Sequence, residues 1–177
     1  MRRKSGGRPA RPRSSAELDI PEALQTTYGG ANFVLWDSGM GDDNRMVLFG
    51  TDVSLSWLEA YPRLLADGCF DVSPAVCLQV YTAHAMVGGS AFPCFYALMV
   101  RKDEGSYRAM LGKLKELRPA LNPGSVLTDF EMAARNAFRR SFPGVVLVGC
   151  FFHLRQSVWR RAQSSGGILM YFEGENY

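Results

Sequence analysis

Three stretches between Leu64 and Val100 decide the fold class: LLADGCFDV (64–72), VCLQVYTAHAMV (76–87) and FPCFYALMV (92–100). They are rich in β-branched and aromatic residues, and segments containing proline or glycine separate them, which is typical of strands joined by short turns. We therefore predict three consecutive, largely buried antiparallel strands in the middle of the chain.

The sequence after residue 100 changes to a helical period. Apolar residues recur every three or four positions over 104–117, which predicts a helix that ends before Pro119. Two more helices are predicted over 130–142 and 151–163, and each follows a short apolar strand, at 125–129 and 145–150. Three strands followed by alternating helices and strands predict an α/β domain whose last strands are parallel.

The sequence before residue 61 predicts a smaller N-terminal segment. Apolar runs at 31–37 and 45–50 flank a Gly/Asp/Asn turn and predict a hairpin, and the leucine spacing predicts a helix over 54–65. The first 13 residues carry six basic and no acidic side chains. Such a tail, rich in Arg, Pro, Gly and Ser, cannot bury enough apolar surface to fold. We expect it to be disordered, and contact with nucleic acid, a nuclear address and a solvated leader remain alternatives.

The composition is that of an ordinary globular protein. The 177 residues are 47% apolar and 21% charged, with 18 Gly and 9 Pro, which excludes a collagen, a coiled coil and a wholly disordered chain. No run of about 18 apolar residues occurs, so no transmembrane helix and no membrane partner are expected. The scattered cysteines, Cys69, Cys77, Cys94 and Cys150, predict buried free thiols and not a disulfide framework.

Two aspartates carry the clearest chemical signal. Asp67 lies within the first of the three strands, where an isolated carboxylate is penalised unless it is paired, protonated or bound to a metal. Asp129 lies at the carboxyl end of the fourth strand, where α/β sheets place ligand sites. If these two strands are neighbours, both carboxylates converge on one Mg²⁺. The alternatives are a turn or bulge at Asp67 and a helix N-cap at Asp129.

Cys150 and His153 have the spacing of half a zinc site, but no second ligand pair occurs elsewhere in the sequence. The alternative is a buried cysteine at a strand end and a histidine that hydrogen-bonds within the core. His84 is predicted to be structural. No nucleophile elbow and no phosphate-binding glycine loop are found.

The last two predicted helices carry six arginines against a single acid, Glu131. They are Arg135, Arg139, Arg140, Arg155, Arg160 and Arg161. Such a charge excess is what a phosphate backbone attracts, and solvated outer helix faces are the alternative.

An ordered series of motifs resembles the transposase domain of Mutator-like elements. The motifs are ADGCF (66–70), QVYTAH (79–84), YAL (96–98), LTDFE (127–131) and GCFFHLRQ (149–156). Segments around 20–21, 33–38 and 48–51 also resemble the sequence that precedes this domain, so the resemblance covers roughly residues 17–163. The ordered series is specific, whereas any one of these motifs alone would be weak.

The resemblance implies an RNase H-like fold of the DDE transposase superfamily. Such domains use an Asp-Asp-Glu triad with two Mg²⁺ (or Mn²⁺) ions to cleave DNA at a transposon end and join it to target DNA. Asp67 matches the first Asp and Asp129 the second, while Cys150 and His153 match the family's Cys-x2-His motif. The family Glu follows a long helical insertion after that motif. Neither Glu173 nor Glu175 matches it, so no third acidic residue is identified.

We therefore expect four segments: a disordered basic tail (1–16), a hairpin and helix segment (17–60), a C-terminally incomplete RNase H-like core (61–163) and an unrelated or disordered tail (164–177). The expected function is that of a transposase fragment, inactive by itself because the third acidic residue is missing. The alternative is a non-catalytic DNA- or protein-binding module derived from a transposase. The resemblance implies that the partners are DNA, namely transposon ends and target duplex, and that the protein is nuclear. It implies Mg²⁺ or Mn²⁺, and not zinc, as the cofactor. A homo-oligomer is left open.

Overall fold

In the computed structural model, which describes residues 12–165, seven strands form one mixed sheet. In chain order they are β1 (Val34–Asp37), β2 (Met46–Gly50), β3 (Arg63–Cys69), β4 (Gln79–Val87), β5 (Ser90–Met99), β6 (Ser125–Thr128) and β7 (Val146–Gly149). Across the sheet they run β1-β2-β5-β4-β3-β6-β7. The strands β3, β4 and β5 are antiparallel, whereas β6 is parallel to β3 and β7 is parallel to β6. The predicted α/β, RNase H-like fold class is confirmed.

The described residues form four α-helices: α1 (Asp52–Ala60), α2 (Glu104–Leu117), α3 (Met132–Ser141) and α4 (Phe151–Ser164). The observed α2 has the predicted bounds, and α3 and α4 begin and end within two residues of theirs. The prediction for α1 was wrong at its C-terminal end, because Leu64 and Leu65 belong to β3. The reason is Pro62, which lacks an N–H and disfavours the helical conformation at the residue before it.

The hydrophobic core lies on the face of the sheet that carries Ala66 and Tyr81. These side chains belong to one buried cluster with Met110, Leu114 and Phe138 of α2 and α3. Along β3 the burial alternates, so that Leu64 and Ala66 are buried and Asp67 is partly exposed. Because successive side chains of a strand point to opposite faces, Asp67 lies on the face away from α2 and α3.

The helix α4 contributes no buried residue to this core. Its large apolar side chains are exposed, namely Phe151, Phe152, Leu154, Val158 and Trp159. Within residues 12–165, none of the helices has the length and apolar character needed to cross a membrane.

The described residues include the end of the predicted basic tail (1–16). A 3-10 helix spans Ser15–Glu17. Ser15 is buried, and its carbonyl oxygen accepts a hydrogen bond from Arg45. The rest of the predicted basic tail, residues 1–11, and most of the predicted C-terminal tail, residues 166–177, lie outside the described residues. The four cysteines are free, but only Cys94 is buried, so the prediction of four buried thiols was wrong for the other three.

Candidate active site

Asp67 lies in β3, and Asp129 directly follows the neighbouring parallel strand β6. The strands β3 and β6 are parallel, and their register pairs Leu65 with Leu127. The paired positions end there. Continued by two residues, this register would bring Asp67 level with Asp129, and the two-residue period of a strand would put both side chains on one face. Neighbouring strands are about 4.8 Å apart. The structure therefore brings together the two aspartates singled out from the sequence.

The first aspartate occupies a regular ladder position. Asp67 pairs with Thr82 of β4 with no shift in register on either side, so the alternative of a turn or bulge at Asp67 was wrong. Its Oδ1 accepts a hydrogen bond from the backbone N–H of Gly68 (2.9 Å), and its Oδ2 lies 3.7 Å from Nε2 of His153.

Burial raises the pKa of Asp67, and His153 opposes this rise while the Asp129 carboxylate adds to it. The two carboxylates are thus close enough to repel each other. A cation between them would remove that repulsion.

The second aspartate does not cap helix α3, so the capping alternative was wrong. The N-cap residue of α3 is Glu131, and Oδ1 of Asp129 accepts a hydrogen bond from the backbone N–H of Glu131 (3.0 Å). This bond closes a local turn of the Asx type. The turn engages Oδ1, which leaves Oδ2 of Asp129 for a ligand.

The Cys-x2-His motif lies beside the aspartate pair. The parallel register of β6 and β7 pairs Thr128 with Gly149, and the backbone N–H of Cys150 donates to the carbonyl of Thr128 (2.8 Å). Cys150 is the N-cap residue of α4, and His153 in the first turn approaches Asp67. The motif therefore contributes a histidine next to the first aspartate.

The aspartate pair fits a magnesium ion. Mg²⁺ takes oxygen ligands and is commonly held by one or two carboxylates, with water and substrate phosphate completing the octahedron. Asp67 and Asp129 supply two such carboxylates. Within residues 12–165, no group of three or more His, Cys, Asp or Glu side chains is arranged to hold a metal ion. The assignment of the two aspartates as metal ligands stays a prediction.

Glu131 lies beside this site, although no role for it was predicted from the sequence. Its Oε2 accepts a hydrogen bond from the hydroxyl of Tyr107 (3.0 Å), whose oxygen in turn accepts one from Nε2 of Gln79 (2.8 Å). Tyr107 and Gln79 are completely buried. These bonds tie the loop that carries Asp129 to α2 and β4. The LTDFE motif contained the residue, but its partners come from distant parts of the chain.

The six candidate arginines do not share one location. Arg135 is bound to the site loop, because its Nη1 donates to the carbonyl of Asp129 (3.3 Å) and its Nη2 to that of Leu147 (3.4 Å). Arg139 and Arg140 lie in the last turn of α3, and Arg140 forms an ion pair with Glu104 (2.8 Å). The three arginines of α4 are exposed: Arg155, Arg160 and Arg161. Their role as nucleic-acid contacts stays a prediction.

The strand order, with one carboxylate within β3 and the other directly after β6, is that of an RNase H-like domain of the transposase class. The chain belongs to the family described as the MULE transposase domain, whose model matches residues 65–157. The resemblance read from the motifs is therefore confirmed, and the chain is of transposase origin.

Among solved structures, the chain is similar to one titled "Drosophila P element transposase strand transfer complex". The identity is 11%, the TM-score is 0.35, and the match covers 62% of this chain and 32% of that chain. The chain thus spans about a third of the length of that transposase. No curated protein matches the chain.

Proposed function

We propose that this domain is the part of a Mutator-like transposase that binds Mg²⁺ through Asp67 and Asp129 for DNA strand cleavage and transfer at transposon ends. The observation that carries the proposal is the parallel register of β3 and β6, whose continuation by two residues makes the two carboxylates neighbours on one face. Membership of the MULE transposase domain family supports the reaction class.

When bound, Mg²⁺ would stabilise the attacking and leaving oxygens of an in-line phosphoryl transfer. The chain's own residues hold the two ligands in place. The backbone N–H of Glu131 orients Asp129, and that of Gly68 orients Asp67. His153, when protonated, would compete with a cation for the Asp67 carboxylate, because its Nε2 lies 3.7 Å from Oδ2.

A third carboxylate does not join this pair within residues 12–165, and Glu173 and Glu175 lie outside the described residues. We propose that the third acidic ligand is absent from the 177-residue chain, which is then catalytically silent. Loss of one metal ligand would raise the barrier, and each ~1.4 kcal/mol is a tenfold loss of rate. The proposed partner is DNA and the proposed location is the nucleus, where a DNA transposon meets its target.

Metal binding tests the proposal directly. Titration calorimetry with Mn²⁺ on the purified chain should detect a site that Asp67→Asn and Asp129→Asn each weaken at least about tenfold, since each variant removes one of two charged ligands. Asp43→Asn is the matched control, because Asp43 is exposed in the loop between β1 and β2 and should leave Mn²⁺ binding unchanged. Equal Mn²⁺ affinity in wild type and both site variants would contradict the assignment.

A cleavage assay separates the two function classes. A chain extended by a helical segment that carries the family Glu should nick a transposon-end duplex in Mg²⁺, and Asp67→Asn should abolish the nicking. An extended chain that binds DNA but neither binds Mn²⁺ nor nicks would favour the alternative, a non-catalytic DNA-binding module.

A further inference from the structure

The helix α4 approaches the sheet with a polar residue and exposes its large apolar side chains. Nε2 of His153, in its first turn, lies 3.7 Å from Oδ2 of Asp67 in β3. Its large apolar side chains are 45–71% exposed: Phe151, Phe152, Leu154, Val158 and Trp159. A helix at the surface of a globular protein normally turns its apolar side to the core, so the exposed side of α4 is a surface suited to a partner.

These exposed side chains border a groove that runs along α4. The groove has a volume of about 510 Å³, and its lining residues within 12–165 all belong to α4, namely Phe152, Arg155, Gln156, Val158, Trp159 and Ala162. Positions 152, 155, 159 and 162 are three or four residues apart, so they share one face of the helix. Apolar surface left in water is unfavourable. The groove is therefore suited to an apolar segment that also brings an acidic side chain to Arg155.

The charge of α4 argues against a second copy of this helix in the groove. Residues 151–164 contain three arginines and no acidic residue. Two such helices packed against each other would bring like charges together, which is unfavourable. An occupant that is both apolar and acidic matches the groove better.

A segment of this kind directly follows α4 in the same chain. The sequence GG (166–167) is followed by the apolar run ILMYF (168–172) and then by Glu173 and Glu175. These positions lie outside the described residues. Glycine adopts a positive φ at little cost, so the Gly-Gly pair permits the chain to reverse its direction.

The lengths of helix and segment agree. Because an α-helix rises 1.5 Å per residue, Arg155 lies about 15 Å back along α4 from Ser165. Five extended residues span about 16 Å. A chain that reverses at 166–167 and runs back along α4 would therefore bring Glu173 level with Arg155.

We propose that residues 168–173 dock in the α4 groove, with the apolar run on the stripe that contains Phe152 and Trp159, and with Glu173 paired with Arg155. The groove is then an interface within the chain, and its formation requires neither metal nor DNA. Arg160 lies about 140° around the helix from Arg155, so it stays outside this interface.

NMR spectroscopy and amide hydrogen exchange of the 177-residue chain test the docking. The chain has three tryptophans and hence three indole N–H signals, and Trp159→Phe identifies the signal from the groove. The variant Ile168→Ser/Met170→Ser/Phe172→Ser should shift this signal and speed amide exchange in α4 at least about tenfold. Loss of a single buried apolar side chain already changes such an equilibrium by about that factor.

The matched control changes three similarly exposed apolar residues that lie outside α4. The variant Leu24→Ser/Met40→Ser/Val53→Ser should leave both the Trp159 signal and the amide exchange of α4 unchanged. If the triple variant in 168–172 also left both unchanged, the inference would be overturned.

A charge swap tests the ion pair separately. Glu173→Arg should move the Trp159 signal toward its position in the triple variant, and Glu173→Arg/Arg155→Glu should restore the wild-type signal. Glu173→Arg/Arg160→Glu is the matched control and should not restore it. Equal restoration by both swaps, or by neither, would overturn the proposed placement. A Trp159 signal that depends on protein concentration, together with a dimer in sedimentation, would instead assign the groove to a second copy of the chain.

Discussion

Replacing Asp37 with an apolar residue leaves a buried arginine without its counterion. Arg45 is 4% exposed. Its Nε donates to Oδ1 of Asp37 (2.8 Å) and its Nη2 to Oδ2 (2.6 Å), while its Nη1 donates to the carbonyl oxygens of Ser15 and Leu18. One guanidinium thus joins the N-terminal 3-10 segment to the β1–β2 hairpin.

The expected cost follows from this geometry. Removing one partner of a buried ion pair costs about 3–5 kcal/mol, and the side chain of Asp37 is 27% exposed, which favours the lower end. Asp37→Leu should therefore lower the free energy of unfolding by about 3 kcal/mol. The double variant Asp37→Leu/Arg45→Met removes the orphaned charge as well, and it should lose less than about half of that amount.

Urea unfolding followed by tryptophan fluorescence measures both effects, with Asp43→Leu as an exposed control. The hydrogen bond from Arg45 lowers the pKa of Asp37 in the folded protein below its ordinary value of 3.8. The stabilisation by the ion pair is therefore fully present above the ordinary pKa, and it is lost as the pH falls through the lowered pKa. The difference between wild type and Asp37→Leu should stay constant from about pH 7 to pH 5 and shrink below about pH 4. A single variant within about 1 kcal/mol of wild type, or a double variant as unstable as the single, would show that the ion pair does not stabilise the fold in this way.

Three further outcomes are expected. Gly68→Ala should lower the free energy of unfolding, measured by urea titration, by about 2–3 kcal/mol, because the new Cβ would overlap Oε1 of the buried Gln79. Gly112→Ala should instead raise it by about 1 kcal/mol, because nothing lies within 4 Å of the new Cβ. If the arginines of α3 and α4 contact phosphates, affinity for arbitrary duplex in anisotropy titrations should fall more than about tenfold between about 50 and 200 mM salt, and a flat response would indicate solvated helix faces. The 177-residue chain should not nick a transposon-end duplex in Mg²⁺ or Mn²⁺ in a gel assay, and nicking that depends on Glu173 or Glu175 would show that one of them is the third ligand.

Elements whose causes are local could be predicted from the amino-acid sequence. The bounds of α2 are an example: its apolar residues recur at helical spacing, Asp103 accepts the hydrogen bond from the backbone N–H of Ser106 (2.8 Å) that caps its start, and Pro119 follows its end. Each of these signals lies within a few residues of the helix. Local signals predicted the wrong end for α1, because leucines at helical spacing continue past Pro62 into β3.

The candidate site was decided by the tertiary structure. The motifs indicated Asp67 and Asp129, but only the parallel pairing of β3 with β6 makes them neighbours, and that pairing joins segments about 60 residues apart. Whether Asp129 caps a helix or closes a turn depends on where α3 begins. The position of the Glu131 side chain depends on a hydrogen bond from Tyr107 of α2. Local sequence patterns indicate which residues can form a helix, a strand or a site. Contacts between distant segments form only when burial of the common core fixes the register of the strands.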